Sequence, residues 1–125
     1  MTSAAASSAQ RALMLVVGAQ LLGTSLWFSA NAAAPDLART WHLGSADIGR
    51  LTNAVQLGFI LGTLGAAISG LADRYAASRI FAVAALAGAL ANAGFALSAA
   101  NLEQALGWRF AVGLCLAGIY PIGMK

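Results

Sequence analysis

From Ala12 to Ala34 the chain carries no ionisable side chain. A run of that length leaves few structural options, because about 20 apolar residues wound into a helix match the hydrocarbon thickness of a bilayer. Backbone amides find no water in lipid, so the run must satisfy them internally, as a helix does. The rest of the sequence points the same way: of 125 residues 60% are hydrophobic and only 9% charged, against about a quarter in soluble domains. That balance excludes a water-soluble fold and a disordered chain.

Several functional classes fall with it. The seven Lys and Arg are scattered, so the formal charge of +3 supplies no basic stripe for nucleic acid. Cys115 is the single cysteine and stands in an apolar stretch, which excludes an intrachain disulfide. One His and one Cys cannot build a metal site. Without a serine elbow, a phosphate-cradling glycine loop or paired carboxylates, the chain reads as neither an enzyme nor a cofactor carrier.

The gaps between charges predict an all-α membrane protein with four spanning helices, over about 12–34, 46–70, 80–100 and 102–125. Residues 1–11 read as a tail, disordered over Thr2 to Ser8, and Pro35 closes the first span. A secretory leader is the weaker reading of that span, since the apolar run is too long and Gln20 and Trp27 interrupt it. Pro35 to Gly49 reads as an exposed connection, with Ser45 as the cap of the second helix and Asp47 in its first turn. Asn101 and Gln104 resemble a capping box opening the fourth helix, with Glu103 adding first-turn charge. Arg11, Arg74, Arg79 and Lys125 fall on one side against Arg39 and Arg50 on the other, which predicts a cytoplasmic N-terminus in the inner (plasma) membrane.

Small residues let helices approach in lipid, where no hydrophobic drive brings them together. Gly58 and Gly62 are four apart, with Gly65 and Ser69 continuing their face; Ala84, Gly88 and Asn92 offer a matching edge, and Gly113 belongs to the same packing set. Such a seam serves plain packing or a pair of crossing geometries. Gln20, Thr24, Trp27 and Asn31 fall on one face of the first helix. Asn53, Gln56 and Thr63 repeat the pattern in the second. These polar groups either bond between helices or line a pathway. Trp27 and Trp41 also suit the membrane interface as anchors.

Arg109 lies inside the fourth span, where an arginine costs about 2.5 to 3.5 kcal/mol at the helix centre. Either it snorkels to the headgroups, or it faces an aqueous cavity and holds an anionic group, on the stripe of Gly113 and Tyr120. No acid inside these spans is available to pair with it.

Ser69-Gly70-Leu71-Ala72-Asp73-Arg74, followed by Arg79, resembles the signature loop between the second and third helices of the major facilitator superfamily. The Asp-Arg core is kept; Gly70 stands one place late, Ala76 replaces the second glycine, and Ala77 and Ser78 interrupt the basic pair. Arg109-Phe110-x-x-Gly113, continuing to Ala117-Gly118-x-Tyr120-Pro121, is similar to the family's fourth-helix arginine-and-glycine motif, and Leu26-Trp27-Phe28-Ser29-Ala30-Asn31 to first helices of its bacterial exporters.

The resemblance implies a secondary transporter of twelve helices, alternating between two half-bundles with a small-molecule site between them. This chain would supply the first four helices of the N-terminal half and would not transport alone. Gln20, Trp27, Asn31, Gln56, Arg109 and Tyr120 become cavity candidates, while Gly70, Asp73, Arg74 and Arg79 become the conformational switch. The implied partners are a small solute coupled to a proton or exchanged against a counter-solute, the lipid bilayer, and the missing C-terminal helices. A complete four-helix dimeric exporter of the small multidrug type is a second reading, although it wants a first-span glutamate that is absent here. A non-transporting membrane scaffold is a third.

Overall fold

The computed structural model describes residues 3–119 and 121. Five helices follow one another: α1 Ser3–Trp41, α2 Ser45–Ser69, the single-turn α3 Leu71–Arg74, α4 Ala77–Ser98 and α5 Leu102–Leu116. No strand occurs among the described residues. The all-α membrane class stands, with α1, α2 and α4 each long and apolar enough to cross a bilayer. The expected fourth span, 102–125, runs partly outside the described residues. The 15 residues of α5 rise about 22 Å, short of a hydrocarbon core of about 30 Å. Beyond Leu116 the backbone tightens into i→i−3 bonds, Gly118 N–H to Cys115 O and Ile119 N–H to Leu116 O, both at 3.0 Å.

The first helix is longer than the apolar run that announces it. It begins at Ser3, inside the segment expected to be disordered, where Ala is a strong helix former and Ser8 Oγ donates to Ala5 O at 2.9 Å. It also continues through Pro35, expected to close it. Proline removes one intrahelical bond. Downstream, however, Leu37 and Trp41 extend the stripe of Ala30 and pack with Leu51, Phe95 and Ala105, which holds the last turns in place. The helix stops where His42 takes a left-handed backbone (φ 54°) and Leu43 N–H bonds back to Ala38 O at 3.0 Å.

Two other boundaries refine the sequence reading. Gly44, not Ser45, is the N-cap of α2, and the Asp47 carboxylate accepts the Gly44 N–H at 3.3 Å. At α5 the Asn101 side chain accepts Gln104 N–H at 3.0 Å, and the Gln104 side chain reaches back to Ala100 N–H at 3.0 Å.

Helix α5 is the hub, packed chiefly on α2 and then on α4, with α1 laid across all three. One apolar cluster joins Val55, Ala91, Val112, Leu116 and Ile119; the other is the group around Phe95. The opening half of α1 has no such cover. Leu13, Leu15, Leu21 and Leu22 are 62–74% exposed, a display that lipid solvates and water does not.

Candidate functional site

Arg109 is fully buried, and its guanidinium is held by helix α1. Nη1 donates to Leu26 O and to Ser29 Oγ, both at 3.2 Å, and Nη2 donates to Trp27 O at 2.9 Å. Ser29 Oγ in turn donates to Asn92 Oδ1 on α4 at 2.7 Å. The guanidinium carbon stands 5.9 Å from the centre of the Phe95 ring, within cation–π range. No carboxylate pairs with it among the described residues. Helical carbonyls keep a second lone pair after accepting their own i+4 amide, which is how a backbone supplies counter-dipoles in a low-dielectric interior. Nη1 and Nη2 are thus held inside the bundle, whereas Nε is buried without a hydrogen-bond partner.

A cavity of about 440 Å³ lies beside this clamp, lined by Thr24, Trp27, Phe28, Phe59 and Leu116. Trp27 belongs to both features. Its carbonyl holds Arg109, while its indole meets the Phe59 ring edge-on at 5.3 Å. Thr24 Oγ1 is spent on the Gln20 carbonyl at 2.8 Å, so it offers the cavity little free hydrogen-bonding capacity. A second cleft of about 560 Å³ runs between α2, α4 and α5, mostly apolar, with Tyr75 and Arg79 among its lining.

The cavity candidates therefore separate. Trp27 lines the smaller cavity, and Gln20 lies one turn before Thr24 with its Oε1 buried and unbonded. Asn31 is exposed and accepts from Thr52 Oγ1 at 3.3 Å, one turn too far toward the α1–α2 connection to reach the lining. Gln56 is exposed and lines neither space. Arg109 stands behind the cavity wall. Tyr120 lies outside the described residues. Phe59, Phe28 and Leu116 escaped sequence reading, since an aromatic or leucine inside an apolar span carries no pattern that sets it apart.

The packing glycines meet backbone to backbone. A Cβ on Gly58 would run into the Phe110 carbonyl and stand 3.1 Å from Gly113 Cα; one on Gly113 would run into the Val55 carbonyl and stand 3.0 Å from Gly58 Cα. Gly62 faces Ala117 and Leu114. The expected continuation of this face finds no close neighbour among the described residues: a Cβ on Gly65 would meet nothing within 4 Å, and Ser69 is exposed. In the loop, Gly70 caps α2 in the left-handed region (φ 63°), its N–H bonded to Ala66 O and Ala67 O. Asp73, Arg74 and Arg79 are exposed and make no ion pair among the described residues.

Over 89 residues, 70% of its length, the chain is 42% identical to the niacin transporter NiaP of Acinetobacter baylyi. Over 88 residues, again 70%, it is 34% identical to the 4-hydroxybenzoate transporter PcaK of Pseudomonas aeruginosa. The chain belongs to the major facilitator superfamily. It spans 19% of the length of each of these curated relatives. No family model and no solved structure matches it. Membership in a family of transporters accounts for a multi-pass membrane chain without a catalytic constellation. Gly70 to Arg74, the segment that resembles the family's signature loop, lies between α2 and α4, and Arg109, from the segment similar to its fourth-helix motif, clasps α1.

Proposed function

We propose that this chain forms the first four helices of a secondary active transporter that carries a small aromatic carboxylate by alternating access. The observation that carries the reading is Trp27, which joins a buried, acid-free cation to an aromatic-walled cavity through one residue. Niacin and 4-hydroxybenzoate, named in the relatives, are both flat rings bearing one carboxylate. Such a solute suits an edge-on aromatic pair for its ring and a positive interior for its charge. Arg109 contributes that potential and positions α1 through Nη1 and Nη2, and its Nε is the donor left without a partner.

On this reading α5 continues across the bilayer as the fourth span, the N-terminus is cytoplasmic, and the α2–α4 loop works as the switch that closes the cytoplasmic side of the inner membrane. Asp73, Arg74 and Arg79 await partners on the other half of a twelve-helix bundle, and the bare opening half of α1 supports the presence of further helices. Coupling to a proton or to a counter-solute rests with groups outside the four spans, which hold no acid at mid-depth. The test is nicotinate and 4-hydroxybenzoate uptake by cells carrying the full-length transporter: Arg109→Ala and Trp27→Ala abolish it, and uptake unchanged in both variants overturns the assignment.

A further inference from the structure

The larger cleft, of about 560 Å³, opens where α2 ends and α4 begins. Helices α2 and α4 pack on α5 rather than on each other, which leaves α5 as a floor between two walls. Gly62 and Ala66 line it from α2, Ile80 and Val83 from α4, and Leu114 and Cys115 from α5. Val83 and Leu114 are exposed at its rim, so the cleft is open sideways to the surrounding lipid.

Its depth separates a lipid chain from a helix as the occupant. The lining reaches back along α2 from Ser69 to Gly62 and forward along α4 from Ala77 to Ala87, and goes no deeper on either helix. At 1.5 Å per residue that is a depth of about 10–15 Å. A spanning helix needs a groove through the whole hydrocarbon core of about 30 Å, whereas an acyl chain occupies one leaflet, about half of it.

The mouth of the cleft carries a matching charge. Tyr75 and Arg79 line it at the α2–α4 connection, and their exposed side chains have no hydrogen-bond or ion-pair partner among the described residues. An arginine lays its stem along apolar surface and keeps its guanidinium among the headgroups, where a phosphate accepts from it through two oxygens. The tyrosine hydroxyl can donate to the same group. Asp73, the acid of this connection, does not line the cleft, and Arg74 beside it leaves the connection positive.

We propose that this cleft binds one anionic phospholipid, with a chain lying on α5 between α2 and α4 and the phosphate held by Arg79 and Tyr75. Basic pockets between spanning helices take anionic headgroups in this way. The lining belongs entirely to this chain, and the site is independent of which solute is carried. Of the three charged residues in the proposed switch, Arg79 alone lines the cleft; the headgroup gives it a partner in the leaflet and leaves Asp73 and Arg74 to the switch.

Native mass spectrometry of the delipidated full-length transporter, titrated in detergent with phosphatidylglycerol or with phosphatidylcholine of the same chains, reads the binding of the first lipid. Phosphatidylglycerol is expected to bind at least about fivefold tighter, the effect of one arginine near an anionic headgroup. Arg79→Gln reduces that preference to about twofold or less, and Arg79→Lys, which keeps the charge, retains most of it. Arg74→Gln removes an equally exposed charge that lies off the cleft, and leaves the preference in place. Val83→Trp fills the cleft from its rim and weakens both lipids. A preference that survives Arg79→Gln, or falls equally in Arg74→Gln, overturns the site in favour of diffuse surface charge. Equal binding of the two lipids by the parent, or undiminished binding in Val83→Trp, overturns it in favour of an unselective lipid shell or a helix of the remaining protein in the cleft. Displacement of the lipid by glycerol phosphate in solution overturns the chain's part in binding.

Discussion

Arg109 donates to the carbonyl of Trp27 at 2.9 Å, so the charge of α5 is fixed to the backbone of α1 at the residue whose indole walls the cavity. Helix α1 makes limited contact with the rest of the bundle, and this clasp is its polar attachment to α5, beside Ser29–Asn92 to α4 and Asn31–Thr52 to α2. Movement of α1 and the state of Arg109 are consequently linked.

Replacing Arg109 by Ala removes three hydrogen bonds across the α1–α5 seam, at about 0.6 kcal/mol each for polar contacts in membranes. The carbonyls of Leu26 and Trp27 lie within α1 and keep their intrahelical amides, so no acceptor is orphaned. Unfolding in mixed micelles is expected to show a loss of about 2 kcal/mol. Arg109→Lys, a point donor without the fork, loses about half as much.

Contact between Gly58 and Gly113 leaves no room for a methyl group on either side. Gly113→Ala forces the α2 and α5 backbones apart and is expected to cost about 3 kcal/mol, at the upper end of overpacking effects. Gly65→Ala meets open space and should stabilise by up to about 1 kcal/mol through helix propensity. Detergent-resistance melts of the two variants should therefore move in opposite directions.

His42 occupies the left-handed region at the end of α1, where a side chain costs about 1–2 kcal/mol and glycine does not. His42→Gly is expected to raise the thermal midpoint, by an amount equivalent to about 0.5–1 kcal/mol once the added freedom of the unfolded chain is deducted. A lowered midpoint would assign the imidazole a packing role.

Much of this arrangement was legible in the residues, and the failures have physical reasons. Asn101 and Gln104 announce the start of α5 because caps are local chemistry. Arg109 announces a need for compensation because its charge is absent from its surroundings in sequence. Its partners stayed hidden, since backbone carbonyls are the same for every residue and nothing in Leu26 or Trp27 marks them as acceptors. Pro35 misled in the other direction: its local veto on the helix is outweighed by Leu37 and Trp41, whose packing partners Leu51, Phe95 and Ala105 lie on other helices. Gly65 continues a small-residue face in sequence but meets no neighbour within 4 Å, because which helix lies opposite a face is a tertiary fact.

The loop after α2 separates folding from function. Gly70 has a structural duty, capping α2 with a left-handed backbone, so Gly70→Ala should cost about 1 kcal/mol or more in unfolding assays. Asp73 is exposed and without an ion pair among the described residues, so Asp73→Asn should change stability by less than about 0.5 kcal/mol. If the carboxylate serves the proposed switch, that same variant in the full-length transporter loses uptake while its thermal midpoint and its solute affinity stay put. The three measurements together distinguish a gate from a strut: loss of uptake with unchanged affinity supports the switch, and uptake equal to the parent's removes Asp73 from it.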